Sequence, residues 1–205
     1  MARSRRERTA KARPELLDLL RKLSVRRGHF VLASGATSDF FVDCKPTVLT
    51  AQGHHLVGEL MLDALRHLPK CESVAGVALG GCPLASAVSL MSHIRGRPMA
   101  ALYVRKEAKD HGTKNLIEGR LEPGMKVVMV EDVVTTGGST LRAIETLREA
   151  GAEVVGVVVL VDRLEGGVEN IRRQGLEVVA LYTRNDFFES DAALSSTLAD
   201  STMAD

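Results

Sequence analysis

Apolar positions recur along this chain in two alternating rhythms. After Pro14, which can open a helix as its first residue, Leu16, Leu17, Leu20 and Leu23 fall at helical spacing, and Gly28 marks a stop. The stretch from Phe30 to Lys45 is rich in β-branched and aromatic residues and is broken at Ser34-Gly35, which predicts two short strands or a hairpin. From Ala51, the positions Val57, Leu60, Met61, Ala64, Leu65 and Leu68 trace an amphipathic helix that Pro69 ends. A strand follows over Ser73–Leu79, then a Gly80-Gly81 turn, a helix opening at Pro83 and a strand over Met99–Val104. The later chain gives strand Met125–Val130, helix Ser139–Ala150, strand Val154–Val161 and strand Val178–Leu181. Near-continuous valine runs separated by helices predict an α/β protein with a mainly parallel sheet covered on both faces.

One stretch breaks the rhythm. Residues 105–121 (RKEAKDHGTKNLIEGRL) are highly charged, carry no core stripe and read as a long exposed loop. Loops of that length inside a domain are mostly functional or disordered. No repeat or domain linker is visible.

Composition narrows the classes. The 205 residues are enough for one domain that needs no disulfide or metal staple. No apolar run approaches the ~20 residues of a membrane span. Cys44, Cys71 and Cys82 are odd in number and widely spaced, with no CxxC pair, which favours a reducing, cytoplasmic setting. No Trp, two Tyr and five Phe leave little for stacking nucleic-acid bases. The net charge of +1 hides an asymmetry. Residues 1–13 carry six basic residues against Glu7, and residues 189–205 carry four acids and no base. Both ends read as solvated, frayed termini around a central unit of residues 14–188.

The most informative segment is Val127–Thr140, V-V-M-V-E-D-V-V-T-T-G-G-S-T. A buried strand ends in Glu131 and Asp132. Thr135, Thr136, Gly137, Gly138 and Ser139 then lead into a helix with Leu141, Ile144 and Leu147 on one face. Ligands of open α/β sheets bind outside the carboxyl ends of the strands. A Thr/Gly turn at a helix N-terminus offers N–H groups, hydroxyls and the positive end of the helix dipole to a phosphate. The adjacent acids suit sugar hydroxyls, so the segment reads as a ribose 5-phosphate site. It is neither a Walker loop nor a dinucleotide GxGxxG turn. His54 and His55 are neighbours on a helix and cannot face one point, which argues against a histidine metal site.

E-D-V-V-T-T-G-G-S resembles the phosphoribosyl pyrophosphate (PRPP) signature of type I phosphoribosyltransferases. Three further segments resemble the orotate phosphoribosyltransferase family in its own order: S-G-A-T-S-D-F-F-V-D, the loop R-K-E-A-K-D-H-G, and L-V-D-R. The resemblance covers approximately residues 14–188. It implies the type I fold, a central mainly parallel sheet flanked by helices, with a small N-terminal hood and a flexible catalytic loop. It also implies transfer of ribose 5-phosphate from PRPP to orotate, giving orotidine 5′-monophosphate and pyrophosphate in pyrimidine synthesis. Mg²⁺ is implied as cofactor, held mainly by substrate oxygens and water rather than by protein ligands. The implied assembly is a homodimer whose catalytic loop reaches the neighbouring subunit's site, with no nucleic-acid or membrane partner.

By the same resemblance Lys109, Asp110 and His111 are the expected catalytic residues, Lys109 first among them. PRPP and pyrophosphate are expected on Arg105, Lys106, Lys109, His111, Glu131, Asp132, Val133, Val134, Thr135, Thr136, Gly137, Gly138 and Ser139. Orotate is expected on Phe40, Phe41, Thr135 and Arg163, the arginine because its planar fork pairs with carboxylate or carbonyl oxygens. Two departures stand out. Several members carry Lys or Arg where this chain has Ala33, with Lys45 nearby, and many carry Tyr-Lys where it has Leu79-Gly80. The rival readings are a purine or uracil phosphoribosyltransferase of the same fold, or a PRPP-sensing regulator. The first is not expected to keep both the RKEAKDHG loop and Arg163. The second commonly adds a DNA-binding module, for which residues 1–13 are too short.

Overall fold

The computed structural model describes residues 4–31, 37–107 and 116–188. Helix α1 spans Arg5–Leu23. It starts nine residues before Pro14, because Ser4 and Glu7 form a reciprocal capping box at its N-terminus. Pro14 lies inside the helix on its exposed face. Residues 5–13, expected to be frayed, are therefore tied to the body. Arg5 pairs with Asp63 at 2.6 Å, Arg13 donates to the Leu181 carbonyl, and Tyr182 Oη donates to the Arg13 carbonyl at 2.6 Å. The helix ends at Ser24, not at Gly28. Gly28 lies within strand β1 (Val25–Val31), at a register shift against β2 (Thr37–Val42), with φ +148°. β1 and β2 form the expected hairpin, antiparallel and separate from the main sheet.

Short helix α2 (Lys45–Val48) and helix α3 (Ala51–Ala64) follow, then strand β3 (Ser73–Val77), helix α4 (Gly81–Ile94) and strand β4 (Ala100–Val104). A two-residue strand β5 (Ile117–Glu118) falls inside the stretch expected to be loop, where half-buried Ile117 packs against the core. Strand β6 (Lys126–Val134), helix α5 (Gly138–Glu149), strand β7 (Glu153–Asp162), helix α6 (Gly167–Arg172) and strand β8 (Val178–Thr183) complete the order. Helix α6 has no counterpart in the sequence reading, since one buried pair, Val168 and Ile171, is too short a stripe to register.

The six-stranded sheet runs β5-β4-β3-β6-β7-β8, all parallel except β5. Alternation along the valine strands serves two cores. Val128 and Val130 of β6 face the core shared with α1, α3 and α4, while Val127 and Met129 face the one shared with α5 and α6. Burial on both faces is why these strands read as unbroken apolar runs. No helix among the described residues is long and apolar enough to cross a membrane.

Candidate active site

The chain winds outward in opposite directions from β3 and β6, which are neighbours. This is the point where an open α/β sheet leaves a crevice at its carboxyl edge. The turn after β6 and the N-terminus of α4 both open there.

The turn is held in one shape. Gly137 caps α5 with φ +80°, a conformation that glycine adopts at little cost. Gly167, at the start of α6, packs so closely that a Cβ there would lie 2.3 Å from the Thr135 carbonyl oxygen and 2.8 Å from the Gly137 nitrogen. Asn170 donates to the Thr136 carbonyl at 3.0 Å, and the Arg163 N–H donates to the Val134 carbonyl at 3.0 Å. Helix α5 has no acid in its first turn, and Arg142 lies one turn in with its guanidinium beside Gly138. A cation at the positive end of a helix is unfavourable unless an anion joins it. The turn can therefore seat an anion at Thr135–Ser139, with Arg142 beside it. The i, i+4 spacing from Gly138 was the signal available in sequence.

The acidic pair is within β6 rather than at its end, because the strand continues to Val134 alongside β7. The two carboxylates differ. Glu131 is 5% exposed and accepts a hydrogen bond from Thr140 Oγ1 at 2.9 Å. Burial, and after it the charge of Asp132, pushes the Glu131 carboxyl up to about 8, against the pull of the Thr140 hydrogen bond. Asp132 is half-buried, its Oδ1 accepting from the Val133 N–H at 2.9 Å. Buried Cys44 places its thiol 3.9 Å from the Asp132 carbonyl oxygen, and burial holds that thiol protonated. Cys82, at the start of α4, is half-buried, its thiol also pushed up by burial.

On the other side of the turn, Arg163 is buried beneath the hairpin. Its Nη2 donates to the Phe40 carbonyl at 3.2 Å and meets Glu165 Oε1 at 2.8 Å. Phe40 is core, packed on Phe187 and Phe188, whereas Phe41 is 37% exposed. Of the phenylalanine pair, then, Phe40 offers its backbone and Phe41 its surface. A cavity of about 640 Å³ opens beside Arg163, lined also by Asp39, Leu164, Arg184, Asn185 and Phe188. Arg184 pairs with Asp39 at 2.6 Å and lies over the Phe188 ring. Nothing in the sequence pattern pointed to Asp39 or Arg184, because the contact joins β2 to the end of the chain's last strand. Lys45 is engaged by Asp43 at 2.6 Å, and that hydrogen bond, before other causes, raises its pKa. Ala33 lies outside the described residues.

The charged connection leaves β4 at Arg105, whose N–H donates to the Leu116 carbonyl at 2.7 Å and whose Nη1 lies 3.5 Å from Glu118 Oε1. Lys106 is exposed. Lys109, Asp110 and His111 lie outside the described residues.

Comparison with known proteins agrees with this geometry. Residues 54–182 match the family model "Phosphoribosyl transferase domain". The chain is 65% identical over 180 residues to the orotate phosphoribosyltransferase of Sorangium cellulosum, covering 87% of this chain and 94% of that protein. It is 46% identical to the orotate phosphoribosyltransferase of Thermosynechococcus vestitus, over 88% of this chain and 95% of that one. Among solved structures, the Mycobacterium tuberculosis H37Rv orotate phosphoribosyltransferase in complex with PRPP superposes with a TM-score of 0.73 at 36% identity, covering 86% of this chain and 98% of that one. Fold and turn together define a protein of the phosphoribosyltransferase class. Within that class, the chain belongs to the orotate phosphoribosyltransferase family.

Proposed function

We propose that this chain transfers the 5-phosphoribosyl group of PRPP to orotate, forming orotidine 5′-monophosphate and releasing pyrophosphate. The observation that carries the reading is the β6–α5 turn, a preformed anion seat adjoining the Glu131–Asp132 acid pair at the sheet's switch point. The 5-phosphate takes the N–H groups and hydroxyls of Thr135–Ser139, with Arg142 beside them. Asp132 accepts from the ribose hydroxyls, and Glu131 lies buried beneath it, held by the Thr140 hydroxyl. A ring nitrogen of orotate attacks C1 as the C1–oxygen bond to pyrophosphate breaks, and the electron pair leaves with pyrophosphate. No protein nucleophile is needed. Charge growing on the leaving group is met by Arg105, Lys106, Lys109 and His111, arranged within seven residues. The orotate side falls to Arg163 and the Phe40–Phe41 segment.

The residues fit a magnesium ion brought in with the substrate. Among the described residues no group of three or more His, Cys, Asp or Glu could cage a metal. Asp132 supplies a hard oxygen at the crevice, suited to an ion that keeps substrate and water ligands. When bound, that ion supplies neutralisation of the pyrophosphate charge.

The working unit we propose is a homodimer with the 105–121 loop shared across it, in the cytoplasm. Leu49, Leu79, Leu90 and Ile94 are exposed along α2, the start of α4 and its outer face, and Leu79 is 76% exposed beside the crevice. Large exposed apolar residues near a site favour a protein partner there, and closed twofold pairing is the commonest arrangement.

The test is turnover with PRPP, Mg²⁺ and a panel of orotate, uracil, adenine, guanine and hypoxanthine. Nucleotide and pyrophosphate should form with orotate at a rate far above the others. Faster turnover with uracil or a purine would overturn the base assignment, and PRPP binding with no turnover on any base would favour a sensor.

A further inference from the structure

The turn from β7 to α6 carries the one non-glycine residue with positive φ among the described residues, Leu164 at +58°. That left-handed conformation costs a residue with a Cβ and suits glycine. Two residues later the chain does use glycine, at Gly166 with φ +83°. At position 164 it holds a leucine there by other means. The Leu164 N–H donates to Oδ1 of buried Asp162 at 2.9 Å, and the next residue, Glu165, returns to the Arg163 guanidinium at 2.8 Å. Conformation thus favours glycine at 164, and packing does not ask for leucine. The side chain is 48% exposed and belongs to neither hydrophobic core. What it lines is the cavity of about 640 Å³ beside Arg163. Phe188, the other large apolar residue of that wall, is already packed on Phe40 and covered by Arg184. Leu164 is the apolar surface left for a ligand. Backbone strain kept where the core gains nothing from it points to function.

We infer that Leu164 is a binding residue for the base, an apolar wall that shields the contact between Arg163 and the anionic edge of the base from water. Arg163 is buried and its Nη2 is fixed by the Phe40 carbonyl and Glu165, so the guanidinium does not travel to the ligand. A planar base laid against Leu164 brings its carboxylate or carbonyl edge to that fixed fork, and the leucine closes the contact to solvent. An ion pair shielded from water is stronger and less screened by salt than an open one. The left-handed turn sets the leucine beside the arginine that it shields. This inference rests on the orotate reading above.

The experiment is steady-state kinetics with PRPP, Mg²⁺ and orotate on wild type, Leu164→Gly, Leu164→Asn and Leu164→Met at low and high salt, with melting temperatures alongside. Leu164→Gly should melt within about two degrees of wild type, because glycine relieves the left-handed backbone and no core contact is lost. Its orotate KM should rise about fivefold, with the PRPP KM changed less than about twofold. The rise should grow with salt more steeply than in wild type, as an opened ion pair is screened. Asparagine, which also tolerates the left-handed region, should lose as much as glycine, and methionine should stay within about twofold of wild type. Any of four results overturns the inference: an unchanged orotate KM or an unchanged salt dependence in Leu164→Gly, an asparagine variant as good as leucine, a methionine variant as poor as glycine, or a Leu164→Gly melting temperature lowered by about ten degrees, which would make Leu164 a residue of the fold. Failure of the wild type itself to turn over orotate would instead overturn the proposed function.

Discussion

Two connections leave neighbouring parts of the same sheet edge and are built in opposite ways. The turn after β6 is held by close backbone packing with Gly167, by Asn170, by the Arg163 N–H and by the buried Thr140–Glu131 bond. Where it is described, the connection after β4 is held by one backbone bond between Arg105 and Leu116, an exposed Arg105–Glu118 pair and a two-residue strand. Exposed ion pairs of that kind contribute little, ~0–1 kcal/mol. The contrast matches two different tasks. A charge present throughout the reaction, the 5-phosphate, is best met by a preformed site. A charge that appears only as pyrophosphate departs accelerates the reaction when it is met late. In the proposed function the fixed turn is the binding half of the machinery and the charged loop the rate half.

The largest expected effect comes from placing the halves on different chains. Lys109→Ala and Asp132→Asn should each leave a nearly inactive homodimer. Mixed and allowed to exchange, half the dimers are hybrids with one intact site of two, so about a quarter of wild-type activity should return. No recovery despite demonstrated subunit exchange would mean that each chain closes its own site. Next in size, Arg163→Ala removes a charge-assisted contact on the orotate side. It should lower kcat/KM for orotate by about ten- to a hundredfold, for ~1.5–3 kcal/mol, with PRPP affinity little changed. Equal loss for both ligands would contradict the division. Arg142→Gln touches only the phosphate turn. The PRPP KM should rise about threefold to tenfold, with a weaker dependence on salt and an unchanged orotate KM.

The smallest effect is on stability. Because Glu131 has its folded pKa raised to about 8 from an ordinary 4.5, its contribution is fully present at acid pH and is lost as pH rises through about 8. Thermal melts of Glu131→Gln at pH 5, 7 and 9 should therefore fall less with rising pH than those of wild type. Parallel curves would mean that Glu131 ionises normally inside the fold.

How much of this was legible in the sequence depends on where the causes lie. The valine strands, their parallel order and the phosphate turn were readable, because two-sided burial and helix capping act over a few residues. Although Ser4 and Glu7 spell a capping box, the helix was expected to open at Pro14, with the basic residues 1–13 as a solvated, frayed terminus. Their partners Asp63, Glu59 and the Leu181 carbonyl are distant in sequence. The acid pair was placed at the end of a strand because the apolar run stops at Val130, whereas β6 continues to Val134 alongside β7. Burial inside the strand raises the Glu131 pKa. The trio Lys109, Asp110 and His111, proposed as catalytic, was legible only as a motif, and the close approach of Gly80 to Asp132 not at all, because it joins β6 to a turn fifty-two residues earlier.

The central claim, that the turn binds and the loop drives departure, meets its most direct test in PRPP affinity and single-turnover rate measured side by side on two variants. Thr136→Val combined with Ser139→Ala strips two hydroxyls from the turn, and Lys109→Ala strips one cation from the loop. The turn variant should bind PRPP about tenfold more weakly and turn over at a near wild-type rate when saturated. The loop variant should bind PRPP almost normally and turn over about a hundredfold more slowly. If both variants lose the same quantity, whether affinity or rate, the division between the two regions is wrong.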